Sequence, residues 1–377
     1  MSKKIKVALV FGTRPEAIKM APVVLELQKR PEFETVTIVT AQHREMLDQV
    51  LELFKIKPDF DLNIMKPGQN LWQLTADILV ETKKVYDVVK PDIVLVHGDT
   101  TTAFAAGLSA FYARIPTGHV EAGLRTFDKN YPFPEEINRV LADAVADLHF
   151  APTDAAIENL KKSGLVDYST FYKTGNTVID ALLYTIDNVP SDLSNLGLDD
   201  SLKTILLTAH RRENFGKPLK YVCEAVKEIV EKHKDVQVVY PVHLNPNVQE
   251  VVYAELSGVE RVKLIEPLEY APFASLMKKS YIILTDSGGV QEEAPSLGVP
   301  VLVLRDETER PEAIEYGCVK LVGCDKRKIV KEVDALLGDS GYYSKMSNAA
   351  NPYGDGLASS RIADAILQSV SKRPTQP

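Results

Sequence analysis

The sequence predicts an α/β protein made of two doubly wound, Rossmann-like domains. Apolar strand segments alternate with amphipathic helical segments along the chain, which is typical of parallel sheets with helical crossovers. The alternation runs twice, and a polar stretch at 189–201 links the two series. A chain of 377 residues is long enough for about two domains. We therefore place the first domain at 1–172 and the second at 173–357.

In the first domain, each predicted strand runs into a turn and then a helix. Pro15 suits a first helical turn, and Pro91 bounds the helix that precedes it. The predicted strands are 6–11, 36–40, 92–97, 116–120 and 148–151. The predicted helices carry the apolar residues of 18–27, 45–53, 71–89, 103–107, 137–146 and 153–163.

A new predicted strand at 171–175 begins the second series of elements, in which strands again alternate with helices. Its further predicted strands are 204–208, 236–241, 262–265, 281–285 and 299–304. Its predicted helices are 219–233 and 290–298, and a helix at 359–370 ends the chain. Strand 281–285, the glycine turn, helix 290–298 and strand 299–304 form a βαβ unit.

The glycine turn of this unit is a candidate nucleotide site. Gly288 and Gly289 let the backbone approach a ligand, and free N–H groups at the helix start suit a diphosphate. Glu293 lies one turn on, where its carboxylate could accept from ribose hydroxyls, and Arg310 could supply positive charge. The alternative is a tight turn beside a surface carboxylate. The acidic and basic side chains favour the nucleotide site.

Polar groups that could do chemistry recur where other strands end, namely Arg14, Asp99, Glu121, Glu135 and His210. Open α/β sheets place ligand chemistry at the carboxyl ends of their strands. Each residue alone is more often a cap or a turn residue, and Asp99 would equally suit a helix N-cap.

Three further residues near strand ends could have either a functional or a structural role. Lys19, like Arg14, lies near a helix start, where it would either bind an anion or belong to a solvated face. His97 and His119 also lie at strand ends, and each would be either functional or packed in the core.

Composition and missing motifs exclude several classes of protein. The net charge of -8 argues against a general nucleic-acid or anionic-membrane surface, and no apolar run approaches the ~20 residues of a membrane span. The three cysteines and seven scattered histidines form no metal motif, and the cysteine pattern is that of a cytoplasmic protein. No dinucleotide fingerprint, Walker A motif or serine elbow occurs, so we expect neither a metal nor a nicotinamide cofactor.

Six motifs, taken together, resemble those of the bacterial non-hydrolysing UDP-N-acetylglucosamine 2-epimerases. The resemblance covers essentially the whole chain in the order of that family. The motifs are Gly12-Thr13-Arg14-Pro15-Glu16-Ala17, His97-Gly98-Asp99-Thr100-Thr101, Glu121-Ala122-Gly123-Leu124-Arg125, Pro134-Glu135-Glu136, Ala209-His210-Arg211-Arg212-Glu213-Asn214 and Thr285-Asp286-Ser287-Gly288-Gly289-Val290-Gln291-Glu292-Glu293.

The resemblance implies a GT-B fold with the active site in the cleft between two Rossmann-like domains and a last helix, about 358–377, that returns to the first domain. It implies reversible conversion of UDP-GlcNAc to UDP-ManNAc for cell-envelope polysaccharide. The reaction would be anti elimination of UDP to 2-acetamidoglucal, followed by re-addition. The implied enzyme is a homodimer that needs no cofactor.

The resemblance also implies roles for individual residues. Asp99, Glu121, Glu135, Lys19 and His210 would form the catalytic group, without settling which carboxylate removes the C2 proton. The residues that would bind the UDP-sugar are Arg14, Lys19, His210, Phe273, Ser287, Gly288, Gly289, Glu293 and Arg310.

Some bacterial members bind a second UDP-GlcNAc as an activator. The residues that match this site are Gln42, His43, Arg211 and His243. Glu45 stands where the pattern has a second glutamine, and Gly68 stands where it has an arginine. Losing a cation and gaining an anion should weaken the binding of a second diphosphate.

Three other functions are compatible with the same motifs. A hydrolysing epimerase would release free ManNAc and UDP, and a GT-B glycosyltransferase would turn over only with an acceptor. A regulatory protein that binds the nucleotide sugar without chemistry would keep the fold, but the intact carboxylates argue against it.

Overall fold

The computed structural model describes residues 3–41, 44–66, 68–164 and 170–371, with the side chains of Glu45 and Ser371 left undescribed. Internal contacts divide the chain into two compact units. The first unit combines Met1–Tyr184 with Tyr353–Pro377, and the second is Thr185–Pro352.

The first unit contains a seven-stranded sheet whose paired strands are all parallel. Its strands are β1 (Ile5–Phe11), β2 (Phe33–Val39), β3 (Phe60–Asp61), β4 (Ile93–His97), β5 (Thr117–Val120), β6 (Leu148–Ala151) and β7 (Phe171–Lys173). The helices between these strands are α1 (Arg14–Lys29), α2 (Arg44–Leu53), α3 (Leu71–Val89), α4 (Thr101–Tyr112), α5 (Glu135–Val145) and α6 (Asp154–Ser163), and α7 (Thr177–Asn188) follows β7.

The strand order in this sheet is β3-β2-β1-β4-β5-β6-β7, so β1 pairs with β2 on one side and β4 on the other. The chain therefore reverses its direction of winding between β1 and β4. A ligand crevice forms at such a switch point, outside the carboxyl ends of the two strands. Both strands are buried along their centres, which is why they read as continuous apolar runs.

Local capping fixes several helix ends in the first unit. The Thr13 side chain accepts from the Glu16 N–H at the start of α1, and the Glu16 carboxylate accepts from the Thr13 N–H. This reciprocal capping box satisfies N–H groups that a helix start leaves unpaired. Asn70 caps α3, and Lys90 ends that helix in the left-handed conformation.

The second unit contains a six-stranded sheet with the order β10-β9-β8-β11-β12-β13. Its strands are β8 (Lys203–Thr208), β9 (Val236–Pro241), β10 (Val262–Ile265), β11 (Ile282–Thr285), β12 (Val301–Val303) and β13 (Val319–Leu321), and all their pairings are parallel. Its helices are α8 (Lys217–Lys232), α9 (Pro246–Leu256), α10 (Tyr270–Lys279), α11 (Gly288–Glu293), α12 (Pro311–Glu315), α13 (Lys326–Gly338) and α14 (Ser340–Ser347). The switch point of this sheet lies between β8 and β11.

The last helix, α15 (Ala358–Ser371), belongs to the first unit. The Asp180 carboxylate on α7 accepts from the N–H groups of Ala358 and Ser359, at 3.2 and 2.8 Å. Arg30, at the end of α1, donates to the Ser360 hydroxyl at 2.7 Å. These contacts hold the last helix against α7 and the end of α1.

The predicted domain boundary at 172/173 differs from the observed division. It would cut through β7, which pairs with β6 from His149 to Ala151 and is part of the first sheet. The contact boundaries lie instead after Tyr184 and before Tyr353.

The predicted helix 290–298 is two shorter pieces. α11 begins at Gly288, and a 3₁₀ turn, Ala294–Leu297, follows it. Pro295 carries no N–H and cannot continue an α-helical ladder, which explains the change. Gly298 then ends the segment with a φ of 69°, as a glycine at that place allows.

Some elements have no counterpart in the sequence analysis, and they include both short strands and full-length helices. The unpredicted elements are β3, β13, α7, α9, α10, α12, α13 and α14. Within the described ranges, no helix combines the length and apolarity required to cross a bilayer.

Candidate functional site

The turn after β1 is held by the carboxylate of Glu16. Its Oε2 accepts from the N–H groups of Gly12 and Thr13, at 3.0 and 2.7 Å, and its Oε1 accepts from the Thr100 hydroxyl at 2.6 Å. The carboxylate therefore joins the turn after β1 to the turn after β4. A Cβ on Gly12 would lie 1.8 Å from the Thr40 hydroxyl oxygen, so only glycine fits there.

Asp99 is held by an arginine from α5. The Arg139 guanidinium donates to Asp99 Oδ2, and Asn138 Nδ2 donates to the Asp99 carbonyl at 3.0 Å. Burial and the nearby Glu121 raise the pKa of Asp99, although Arg139 opposes this shift. The cap of α4 is Thr100, whose side chain accepts from the Ala103 N–H, so the N-cap alternative for Asp99 is wrong.

Glu121 lies at the end of β5 and pairs with Lys19 of α1. Its Oε2 also accepts from Asn176 Nδ2 at 3.1 Å and lies 3.9 Å from His97 Nε2. The backbone of Glu121 has a φ of 64°, which is uncommon for a residue with a side chain. Such strain persists where the surroundings fix it, and it is concentrated at functional sites. Lys19 is therefore part of a paired cluster rather than a solvated face.

The two histidines at the ends of β4 and β5 differ in their surroundings. His119 Nδ1 lies 2.5 Å from Asp143 Oδ1 and its Nε2 lies 2.7 Å from the Gly98 carbonyl, so both nitrogens face acceptors. Burial opposes the charge, but Asp143 holds the pKa of His119 above its ordinary value. His119 is thus a packed, ion-paired residue. His97 is also buried, but neither ring nitrogen has a hydrogen-bond partner in the described part of the chain, and burial lowers its pKa to about 3.

Arg14 and Glu135 begin helices at the same edge of the sheet. Arg14 is the first residue of α1, and Glu135 is the first residue of α5. Both are partly exposed. The predicted catalytic residues of the first unit, with Arg14, therefore lie on turns that follow β4 and β5 or on helices α1 and α5.

In the second unit, the candidate residues His210, His243, Phe273 and Ser287 line a cavity of about 260 Å³ at the ends of β8, β9 and β11. His210 and Ser287 contribute polar groups to it, whereas Phe273, Leu268 and Val290 contribute apolar surface. A small apolar cavity beside a few polar groups is the usual form of a ligand site.

The turn at Ser287 offers fewer free N–H groups than the sequence implies. The Ser287 N–H donates to the Thr285 hydroxyl at 3.0 Å and is not available to a ligand. The group that Ser287 can offer a ligand is its side-chain hydroxyl. Gly288 and Gly289 open α11, and N–H groups in a first helical turn have no partner within the helix. A Cβ on Gly288 would lie 3.6 Å from the Arg310 guanidinium, so that cation is close to the turn.

Glu293 and Arg310 are both paired within the second unit. The Tyr270 hydroxyl donates to Glu293 Oε2 at 3.0 Å, and Arg310 Nε donates to Glu292 Oε1 at 2.6 Å. A Cβ on Gly289 would lie 3.6 Å from Glu293 Oε1, so the two residues share one face of α11.

His210 is surrounded by charged and titratable groups. Its ring stacks on His243 with centroids 5.2 Å apart, and its Nδ1 lies 3.3 Å from Asp286 Oδ1. Burial lowers the pKa of His210, His243 and Arg211 lower it further, and Asp286 opposes them. The neighbouring groups therefore act on the charge of the ring in opposite directions.

The predicted second-ligand site stays a prediction. Gln42 and His43 lie outside the described residues. Arg211 Nη1 lies 3.6 Å from Glu309, and His243 is the ring stacked on His210. A Cβ on Gly68 would meet no atom within 4 Å.

Sequence reasoning missed four residues that shape these clusters, namely Glu16, Arg139, Asn176 and Asp286. Two of them carried a usable signal. Glu16 stands three residues after Thr13, as a capping box requires. Asp286 immediately follows a buried strand, as Asp99 nearly does. For Asn176 and Arg139 the chain offers no local signal of the partner.

Comparison with known proteins gives one consistent family. A family model described as UDP-N-acetylglucosamine 2-epimerase matches residues 25–367. The chain is 57% identical to the UDP-N-acetylglucosamine 2-epimerase of Bacillus subtilis over 377 residues, covering 100% of this chain and 98% of that protein.

Solved structures agree with this comparison. A putative UDP-N-acetylglucosamine 2-epimerase from Listeria monocytogenes is 54% identical, with a TM-score of 0.93 over 99% of this chain and 98% of that one. The UDP-GlcNAc 2-epimerase from Neisseria meningitidis, solved bound to UDP-GlcNAc, is 51% identical, with a TM-score of 0.84 over 97% of this chain and 100% of that one.

These matches, with the two parallel sheets, confirm the predicted GT-B fold of two Rossmann-like domains. They also confirm the resemblance that the six motifs indicated. This chain belongs to the UDP-N-acetylglucosamine 2-epimerase family.

Proposed function

We propose that the protein catalyses the reversible conversion of UDP-GlcNAc to UDP-ManNAc without net hydrolysis. The observation that carries this proposal is the pair of carboxylates that follow β4 and β5, at the carboxyl edge of the first sheet. Asp99 is paired with Arg139, and Glu121 is paired with Lys19. Cationic partners hold both side chains in place at the edge where open α/β sheets bind ligands.

The chemistry of the substrate explains why such a site is needed. The C2 hydrogen of the sugar is not next to a carbonyl, so its direct removal is too costly. Departure of UDP builds positive charge at C1 and weakens the neighbouring C–H bond. One base takes the C2 proton, the C–H electrons form the C1=C2 bond, and the C1–O electrons leave with UDP. Re-addition of UDP with protonation from the other face gives the epimer.

The second unit is suited to hold the leaving group. Gly288 and Gly289 offer first-turn N–H groups, Ser287 offers its hydroxyl, and Arg310 offers positive charge. His210 would add a charge on taking up a proton. Donors directed at developing negative charge stabilise a transition state more than a ground state. The apolar wall of the cavity, which includes Phe273, would bind the uracil ring of UDP.

The experiment that tests this function is incubation with UDP-GlcNAc alone in heavy water, followed by proton NMR. We expect UDP-ManNAc to accumulate and deuterium to enter C2 of both epimers, because the proton removed exchanges with solvent. Appearance of free ManNAc instead would favour the hydrolysing reaction. Inversion at C2 with no solvent label would contradict proton removal at that carbon.

We also propose that the protein acts as a homodimer, with the ManNAc units supplied to cell-envelope polysaccharide. The first unit exposes an apolar groove of about 900 Å³ along α3, lined by residues of 69–79 and by Phe133. Trp72 is 83% exposed there, which is unusual for so large an apolar side chain. A second copy of this chain is the occupant that the family resemblance implies.

Replacing Trp72 with Asp should shift the protein from dimer to monomer, because a charge would enter an apolar contact. Light scattering after size-exclusion chromatography would report the mass, with a wild-type value expected at twice the chain mass of 41.8 kDa. Lys84→Asp, an exposed change on the same helix, is the control and should remain a dimer. A monomeric wild-type protein would refute the dimer.

A further inference from the structure

Asp286 is a fully buried carboxylate placed directly after β11. Its Oδ2 accepts three hydrogen bonds, from the N–H groups of His210 and Arg211 at 2.8 and 2.9 Å and from Asn214 Nδ2 at 3.0 Å. These donors belong to the segment that follows β8. One carboxylate oxygen therefore fixes the backbone on which His210 stands.

The other oxygen of Asp286 is directed at the imidazole of the same residue. Oδ1 is buried, and within the described part of the chain it accepts no hydrogen bond that meets strict geometry. The ring nitrogen beside it is His210 Nδ1, at 3.3 Å. A buried carboxylate oxygen without a donor is costly, so a proton on Nδ1 is the arrangement that satisfies it.

We propose that Asp286 is a positioning residue that keeps a proton on Nδ1 of His210 and so reserves Nε2 for the diphosphate. The inference rests on the proposed function, in which His210 contacts the UDP leaving group. It assigns to Asp286 a role beyond holding the turn, because the carboxylate sets which ring nitrogen can face a ligand.

The consequence for binding follows from the chemistry of the ring. With Nδ1 protonated, Nε2 of the neutral imidazole carries a lone pair that repels phosphate oxygens. The ring can donate from Nε2 only as the imidazolium, so binding of the diphosphate should take up a proton. His243, stacked on the ring, and Arg211 disfavour that charge, whereas Asp286 favours it. Affinity for the nucleotide sugar should therefore fall as pH rises.

Asp286→Asn tests this role while preserving the fold. Three donors converge on Oδ2, so the Asn side chain must place its carbonyl oxygen there. Its NH₂ group then faces His210 Nδ1, which must accept and lose its proton. The ring is forced into the Nε2–H tautomer and donates as a neutral group. A carboxylate-to-amide change of this kind can leave geometry intact and still reverse a tautomer.

The first measurement uses the wild-type protein without ligand, so it needs neither turnover nor a stable variant at position 286. Nitrogen-15 NMR of the histidine rings, with His210 assigned by the signal lost in His210→Gln, reports which nitrogen is protonated. We expect the Nδ1–H tautomer above the pH at which the ring becomes neutral. The Nε2–H tautomer in the wild-type protein would overturn the inference and leave the proposed function untouched.

The second measurement is calorimetry of UDP-GlcNAc binding across pH in an Asp99→Asn background, in which turnover should be slower by about two to four orders of magnitude. UDP-GlcNAc is the probe because its diphosphate does not titrate near neutral pH. We expect proton uptake with Asp286 present. With Asp286→Asn we expect no uptake, a flatter pH dependence and roughly ten- to hundred-fold weaker binding below neutral pH.

Two further variants make the outcome specific. Asp200→Asn, an exposed change in the same unit, should behave as the parent. In a His210→Gln background, Asp286→Asn should add almost nothing, because its effect on binding passes through the ring. A full and additive loss in that background would show a purely structural role for Asp286 and refute the proposal.

Discussion

Asp99→Asn is expected to lower kcat by about two to four orders of magnitude, the range of a lost general acid or base. The Asn side chain can still accept from Arg139, so the turn after β4 should keep its structure. UDP should therefore bind with nearly wild-type affinity. Steady-state kinetics with UDP-GlcNAc and calorimetry with UDP would measure the two effects separately.

The pH dependence gives this expectation a second test. Because burial and Glu121 raise the pKa of Asp99, the acid limb of the kcat/KM profile should lie above the ordinary range of a carboxyl group. Asp87→Asn, an exposed change on α3, is the control and should retain full activity. A wild-type rate for Asp99→Asn would remove this residue from the mechanism.

Glu121→Gln should cause a loss of kcat of similar size, about two to four orders of magnitude. The amide keeps the shape of the side chain and can still accept from Lys19, but it carries no charge and cannot take a proton. Gln also leaves the positive charge of Lys19 without its anion, and that charge can still attract an anionic substrate. We therefore expect a lower kcat rather than a higher KM. Initial rates over a range of UDP-GlcNAc concentrations would separate the two constants.

A double-mutant cycle would show whether Glu121 and Lys19 act as a unit. Residues that share one ion pair are expected to be non-additive, so Lys19→Met should cost less in the Glu121→Gln background than in the wild type. Glu81→Gln, an exposed change on α3, serves as the control. Losses that add fully would mean that the two side chains act independently, and unchanged kcat in Glu121→Gln would exclude that carboxylate.

Local sequence signals predicted most elements of both sheets because strand and helix ends depend on nearby residues. The bounds of α3, β6, β9 and β10 agree with the prediction, and prolines or polar turns flank these segments. Elements such as β13, with only three residues, carry too few apolar positions to show a period. The same limit applies to β3, which has two residues.

The candidate site was predictable in its members but not in its pairings. Arg139 binds Asp99, which is 40 positions away, and no local pattern in the sequence indicates that partner. The sequence allowed His119 to be either functional or packed in the core. Its contacts with Asp143 and the Gly98 carbonyl show that it is packed and ion-paired. A helical period places residues on a face, but it does not say what that face meets.

By itself, the sequence determined the fold class, the family and the residue types at the strand ends, because strand, turn and helix signals are local and the motifs are contiguous. The tertiary structure alone decided which charges meet. Lys19 and Glu121 lie 102 positions apart, and His210 and Asp286 lie 76 apart. Such pairs form only when the sheet order brings β1 beside β4, and β8 beside β11, since that order places distant turns at one edge.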